Sequence, residues 1–549
     1  MKTQDVTGRA SVMLAWQRNG RWLSEDSSPP IKGTHDWQRL TVTGTAPRQA
    51  DSVRVTFGLA YGDGTAWLDD VTLSGISRRP TRVEHHFTDT SDWFAFPLSH
   101  DDRRSAAIDL RRYLHAPAGR HGFLQTKQDG HFYFADGTRA RFFGVNLGSR
   151  DCMPPKTLAP TLARHFAKYG VNLVRLHSLD SLYAALIDYR RGDSRHFDPD
   201  ALDRLDFFIA ELKKQGIYVY LDLLDYRRFR DADGVREGDQ FTANWAGSMK
   251  GASIFDDRMI SLQKEYATAL LTHRNPYTNL RLVDDPAIAL IEITNENSLF
   301  YFLLMKNLSR PIYREALRRR WNEWLRQKYE HRDKLRDAWQ AADGKSALGE
   351  DEDWQKASIA MPTTELVRFS KGLMKNPHES HWEKPRVRDT LAFLGQLQDR
   401  YYREMRRHLK ETIGVNVPLT GTNQVFVLKD MQINARWSDF VSRNQYWNHP
   451  SVKAKPFMRY ANLPMLKADL PRMRTPLAVF GASSVAGKPM VLAEFNFPWP
   501  NAYRAEGLIM ASAYACLQDW DAVLLFSYHL NDPMIETFRS QADPARWGT

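Results

Sequence analysis

Residues 287–297 read Ala287-Ile-Ala-Leu-Ile-Glu-Ile-Thr-Asn-Glu-Asn297. The apolar run predicts a strand over 287–294, and it ends in polar residues that include a carboxylate. The same alternation of strand and helix extends to both sides. Upstream, strands are predicted at 141–146, 172–177 and 217–222. The helices between them are predicted at 158–169, ended by Gly170, at 199–215, ended by Gly216, and at 257–272. Downstream come a helical insertion over about 301–412 and then strands at 418–421, 440–446, 490–494 and 522–526. Repeated βα units imply a parallel sheet, and eight of them imply closure into a (β/α)8 barrel. A doubly wound open sheet is the alternative. It ordinarily carries a Gly-rich phosphate loop after its first strand, and Gly144-Val-Asn-Leu-Gly148 lacks that pattern.

The chain of 549 residues is too long for one ordinary domain. Residues 1–78 read as all-β: an apolar run at 11–16, period-two alternation at 37–43 and 52–57, a turn at Gly62-Asp-Gly64 and a strand at 67–73. This predicts a partial β-sandwich. Residues 79–138 form a connector with a β-hairpin near 130–137, and 139–549 form the α/β barrel.

Net charge is +11, yet no Lys/Arg block is interleaved with aromatics as a nucleic-acid groove would require. The densest basic stretch, Arg314 to Arg326, has Trp321, Trp324 and Leu325 at helical spacing and reads as an amphipathic helix. No apolar stretch is long enough to cross a membrane. Two cysteines, Cys152 and Cys516, exclude a disulfide framework and are expected to be buried free thiols. His and Asp residues lack metal-ligand spacing, and neither a Gly-x-Ser-x-Gly elbow nor a phosphate loop occurs, so no metal or cofactor is expected. The oligomeric state is not legible.

In a parallel barrel the chemistry sits at the C-terminal strand ends. Two carboxylates lie there. Glu296 follows Thr294-Asn295, and Glu494 ends Met490-Val-Leu-Ala-Glu494 before an aromatic, proline-rich loop. Period two turns Leu290, Glu292, Thr294 and Glu296 to one side, with Asn295 opposite unless the strand end twists. Taken singly, Glu296 reads equally as a helix cap and Glu494 as half of a structural ion pair. Taken together, they are the two carboxyls that glycoside hydrolysis requires.

The ordered set Asn295-Glu296 and Glu494 resembles clan A of the glycoside hydrolases, over residues 140–530. The resemblance implies a retaining β-glycosidase acting on a poly- or oligosaccharide, with Glu296 as acid/base, Glu494 as nucleophile and Asn295 on the sugar 2-hydroxyl. It also implies an Arg touching the nucleophile (Arg175, with His177 one pleat on) and a Tyr or His bonding it (Tyr446 or, more remotely, His449). Arg175 reads alternatively as a partner of Glu292. Asn146 ends the first strand and is grouped with these supporting residues. Trp447 and Trp499 are candidate sugar platforms. Where the clan has a Trp after strand eight, this chain has Leu525-Phe526-Ser527-Tyr528-His529, with Phe526 or Tyr528 in its place. Asp36-Trp37, Ser52-Val-Arg-Val and Thr65 to Leu73 resemble the latter part of jelly-roll carbohydrate-binding modules. That resemblance implies a chain beginning inside the module and a secreted or periplasmic parent. Two rivals remain at this point: a sugar-binding pseudoenzyme, and a metal-dependent barrel hydrolase using Asp180, Asp222 or Asp225.

Overall fold

The computed structural model describes residues 1–47, 49–60, 63–75, 109–242, 247–304, 308–340, 344–361, 384–425, 427–446, 480–496 and 504–528. Eight parallel strands make one sheet: β1 (Phe142–Gly148), β2 (Leu173–His177), β3 (Tyr218–Asp222), β4 (Ile288–Glu292), β5 (Leu419–Thr420), β6 (Val441–Asn444), β7 (Met490–Phe495) and β8 (Ala522–Tyr528). Their order is β5-β4-β3-β2-β1-β8-β7-β6, the chain order read around a circle. A doubly wound sheet would reverse direction at a switch point, and this order never does. The two ends meet without a regular ladder. At that seam Asp439 N donates to Leu419 O at 2.6 Å and Asn444 N donates to Asn423 O at 2.9 Å.

Helices α1 (Ala159–Lys168), α2 (Pro199–Lys214) and α3 (Asp257–Thr272) follow β1, β2 and β3. Local chemistry sets their ends. The Asp198 side chain accepts from Ala201 N ahead of α2, and Asp256 accepts from Met259 N ahead of α3. After α2, Gly216 turns the chain at φ +81°, where a Cβ would meet the Ala116 backbone at 2.8 Å. Leu205, Phe208, Ile209 and Leu212 bury the inner face of α2 in the main core.

The connection after β4 carries α4 (Leu299–Leu304), α5 (Pro311–Tyr329), α6 (Arg332–Ala338) and α7 (Lys384–Arg407), followed past β5 by α8 (Leu428–Trp437). On α5, Tyr313, Leu317, Trp321 and Leu325 are buried, and Trp321 stacks on Trp339. The basic residues of α5 occupy its outer face, as the amphipathic pattern predicts. Helix α9 (Arg504–Leu517) joins β7 to β8.

The end of the barrel opposite the strand C-termini is closed by a hairpin of Leu124–Thr126 and Phe132–Phe134. Phe132 meets Phe440 edge-on at 5.5 Å, and Phe134 stacks on Tyr218 at 5.0 Å. A second turn at 135–137 brings Tyr133 into a bridge with Arg139.

The N-terminal residues form a five-stranded antiparallel sheet. The central strand Lys2–Arg18 pairs with Arg21–Ser27 and Ile31–His35 along one edge, and with Ser52–Ala60 and Thr65–Trp67 along the other. Two expected strands are absent or shortened. Residues 37–43 form no strand; at their start Met1 N donates to Gln38 O at 2.7 Å and Gln38 N to Met1 O at 3.0 Å. Of 67–73, only Trp67 lies in a strand. A second sheet that would complete a sandwich is not among the described residues. The expectation of two buried thiols fails for Cys516. Cys152 is buried, donating to Leu147 O at 3.1 Å, but Cys516 is exposed on the outward face of α9.

Candidate active site

Strand β2 aims Arg175 into the barrel, where it is fully buried. Its Nη1 donates to Glu494 Oε1 at 2.8 Å and to Asn146 Oδ1 at 3.0 Å. Its Nη2 lies 3.0 Å from each of Asp222 Oδ2, Glu292 Oε2 and Asn295 Oδ1. Arg175 thus contacts both Glu494 and Glu292. One guanidinium faces three buried carboxyls. Burial raises Glu292 to about 7, against the opposing pull of Arg175. Tyr220 Oη donates to the same carboxyl at 2.8 Å. Asn146 stitches the wall, with Nδ2 donating to Ala493 O at 2.8 Å and to Leu525 O at 3.1 Å.

Glu494 owes its direction to an irregularity in β7. Leu492 and Phe495 pack in an outer cluster and Ala493 in the barrel interior. The ladder to β8 shifts register between Leu492 and Phe495, and the ladder to β6 pairs Asn444 with Glu494 after a similar shift. Such a shift re-aims one side chain, here the carboxylate. Its Oε2 accepts from Tyr446 Oη, at the end of β6.

Beyond β4 the period-two expectation breaks. The strand ends at Glu292, and Thr294 Oγ1 accepts from Asn297 Nδ2 at 3.2 Å. Asn295 turns inward to Arg175, and its Oδ1 also accepts from Asn423 Nδ2 at 2.6 Å. Glu296 takes a left-handed φ of +44°, held by its own N–H donating to Asn423 Oδ1 at 2.8 Å. Its Oε1 accepts from Asn444 Nδ2 at 2.9 Å. Burial raises the Glu296 pKa, and the neighbouring Glu494 raises it further, against Lys250 and Asn444.

A second charge cluster supports the first. His177 Nδ1 lies 2.5 Å from Asp222 Oδ2, and its Nε2 lies 3.4 Å from Asp225 Oδ2. Burial pulls His177 down, but the two carboxylates outweigh it and raise it to about 9. Asp225 Oδ1 accepts from the fully buried Lys250 at 2.6 Å and from Asn295 Nδ2 at 2.8 Å. Lys250 also donates to Asn295 O at 2.8 Å. Asp180 accepts backbone N–H groups of Asp225, Tyr226 and Arg227. These aspartates, one rival's metal ligands, are engaged by Arg175, His177, Lys250 and backbone amides. Among the described residues no group of His, Cys, Asp or Glu is arranged to hold a metal ion.

No protein-family model matches the chain. A stretch of 102 residues is 32% identical to mannan endo-1,4-beta-mannosidase 3 of Oryza sativa subsp. japonica, covering 18% of this chain and 21% of that protein. The match thus spans about a fifth of the curated relative's length. Among solved structures, the endo-1,4-beta-mannanase of Rhizomucor miehei is 14% identical, with 78% of this chain and 97% of that chain covered at a TM-score of 0.47. The beta-galactosidase of the psychrophilic Marinomonas ef1 is also 14% identical, with 74% and 58% covered at a TM-score of 0.49. The proteins it resembles are glycoside hydrolases.

Glu296 and Glu494 stand at the ends of β4 and β7, linked through β6, where Asn444 bonds the first and Tyr446 the second. Of the two strand-eight aromatics, Tyr528 does not reach the site. Tyr528 is buried on the outer side of the barrel, its ring 4.9 Å from Phe166 of α1. Pairing with β1 slips between Leu525 and Tyr528, so an extra residue flips Tyr528 outward. The residue at the mouth is Phe526, edge-on to Tyr446 at 5.9 Å and to His177 at 5.8 Å. Trp447, His449 and Trp499 lie outside the described residues. Sequence reading missed Asn423, Asn444 and Lys250. Asn444 ends its strand as Asn295 follows β4, and that parallel was the available signal.

Proposed function

We propose that this chain is a retaining β-glycoside hydrolase that cleaves a poly- or oligosaccharide by double displacement. The observation that carries the reading is the contrast between the two carboxyls. Glu296 is pushed toward its protonated form by burial and by Glu494, while Glu494 sits 2.8 Å from a buried guanidinium. In the first step Glu494 attacks the anomeric carbon. The bond to the glycosidic oxygen breaks, and Glu296 delivers its proton to that oxygen. In the second step Glu296 takes a proton from water, whose oxygen attacks the anomeric carbon and releases Glu494. In this reading Asn295, held from three sides, bonds the sugar 2-hydroxyl.

The test is hydrolysis of aryl β-mannosides, β-glucosides and β-galactosides and of β-1,4-mannan, by the parent, Glu296→Ala and Glu494→Ala. Expected is loss of about 10²- to 10⁴-fold for Glu296→Ala and a larger loss for Glu494→Ala. Azide should rescue Glu494→Ala with an inverted glycosyl azide as product. Parent-like rates in both variants would overturn the assignment.

A further inference from the structure

The peptide unit between Asn295 and Glu296 decides where the Glu296 side chain starts from, and it is held at both ends. Its N–H donates to Asn423 Oδ1 at 2.8 Å, and its carbonyl, Asn295 O, accepts from Lys250 Nζ at 2.8 Å. Rotation of that peptide would break both bonds. Between them Glu296 takes its left-handed φ of +44°, which a residue with a Cβ keeps only where its surroundings impose it. The β3–β4 ladder ends at Asp222 and Glu292, so the sheet itself does not place Glu296; these loop contacts do.

Lys250 lies in the loop between β3 and α3, its side chain fully buried. The same ammonium donates to Asp225 Oδ1 at 2.6 Å, and that oxygen also accepts from Asn295 Nδ2 at 2.8 Å. Backbone and side chain of Asn295 are thus tied to one ion pair. The next residue adds a further tie, with Gly251 N donating to Asn297 Oδ1 at 2.8 Å. Charge gives Lys250 a second effect. The charged and titratable groups that act on Glu296 are Glu494 from β7, Arg443 and Tyr446 from β6 and just after it, and Asp225, Tyr226 and Lys250 from the loop after β3. Burial and Glu494 favour the protonated Glu296, and Lys250 opposes them. Once Glu494 is esterified to the sugar its charge is gone. That of Lys250 remains, and it favours the carboxylate that takes a proton from water.

We propose that Lys250 is a positioning residue for the reaction: from the β3 loop it fixes the Asn295–Glu296 peptide, and it supplies the charge against which Glu296 gives and takes its proton. The proposal rests on the reading of Glu296 as the acid/base. Lys250 acts through Asn295 and Asp225, and it bonds neither Glu296 nor Glu494 directly.

The experiment compares the full-length parent with Lys250→Met, Lys250→Arg and Lys213→Met. Lys213 of α2 bonds the buried Asp285 at 2.8 Å, ahead of β4 and at the end of the barrel away from the mouth. Its variant therefore deprives a buried carboxyl of its cation without touching the site. One readout is the titration of the Glu296 carboxyl by NMR of chains carrying labelled glutamate, the signal being identified by its absence in Glu296→Gln. The other is the pH profile of kcat/KM on a phenyl β-glycoside that the parent hydrolyses. In Lys250→Met, Glu296 should titrate about one pH unit higher, and the alkaline limb of the profile should move the same way. Losing the cation while Asp225 stays charged disfavours the carboxylate, which sets that direction. Turnover should fall about 10- to 100-fold in kcat, with KM within about threefold of the parent. Lys250→Arg should bring the titration back toward the parent, and Lys213→Met should leave both readouts at parent values. A parental Glu296 titration in Lys250→Met overturns the proposal, as does an equal shift in Lys213→Met. Should Lys250→Met fail to fold, Lys250→Gln removes the charge, keeps an amide donor and decides in its place. An active glycosidase whose Glu296 does not move breaks the Lys250 proposal alone. A shifted Glu296 in a chain that hydrolyses nothing breaks the hydrolase reading instead.

Discussion

The barrel and the N-terminal sheet handle burial in opposite ways. Inside the barrel mouth, charge is buried and then matched: Arg175 against Asp222, Glu292 and Glu494, and Lys250 with His177 against Asp225. In the N-terminal sheet, apolar surface is presented and left open. Met1, Ala10 and Ile31 make a small core, while Trp37, Phe57 and Trp67 are 53%, 52% and 40% exposed. A buried ion network contributes little net stability but fixes geometry, and removing one partner is severe. An open apolar face fixes nothing around it, so a change there has little to disturb.

The largest effect separating the regions should come from Arg175→Met. It strands three carboxyls and should cost about 3–5 kcal/mol, read as a lower denaturant midpoint together with loss of turnover. A midpoint unchanged from the parent would show that the network does not hold the barrel. Next is pH. Glu292 and Asp180 are each raised to about 7, and His177 to about 9. A raised folded pKa contributes stability that is present below the unfolded value and lost as pH rises through the folded one. All three therefore act in the same direction. The melting temperature should fall steadily from pH 5 to 9, and a flat or rising profile in calorimetry would break the account. Tyr446→Phe removes one bond to Glu494 and should lower kcat/KM about 10- to 100-fold, with little change in melting. The smallest effect is expected for Phe57→Ser. It should move stability by no more than about 0.5 kcal/mol, and a larger drop would mean that this face is covered.

Short-range patterning made most of the barrel legible. The run 287–294 and the run ending in Glu494 are strands because they are apolar and end in polar residues, and β7 differs from its expected span only by Phe495. Arg175 was read as touching Glu494 or, alternatively, as a partner of Glu292, and the structure brings it to both. Parity at strand ends was not legible. The slips at Glu494 and Tyr528 arise from mismatch with neighbouring strands, and no pattern within one strand encodes that. Asn423 and Lys250 were missed for a related reason. Each matters through partners on another strand, 127 residues away for the Glu296–Asn423 bond and 45 for the Lys250–Asn295 bond. In the N-terminal sheet, alternation at 37–43 misled because period two within a segment does not by itself supply a pairing partner.

Arg175 also bears on how the molecule is made. Its partners come from β1, β3, the end of β4 and β7, and the Glu494 partner lies 319 residues further along the chain. During synthesis from the N-terminus, the guanidinium emerges long before its last counter-charge. Until β7 arrives, water is the better solvent for that cation, which favours keeping the mouth open and hydrated. Completion of the Arg175 network then falls late in synthesis, so a partly made chain lacks its contact with Glu494.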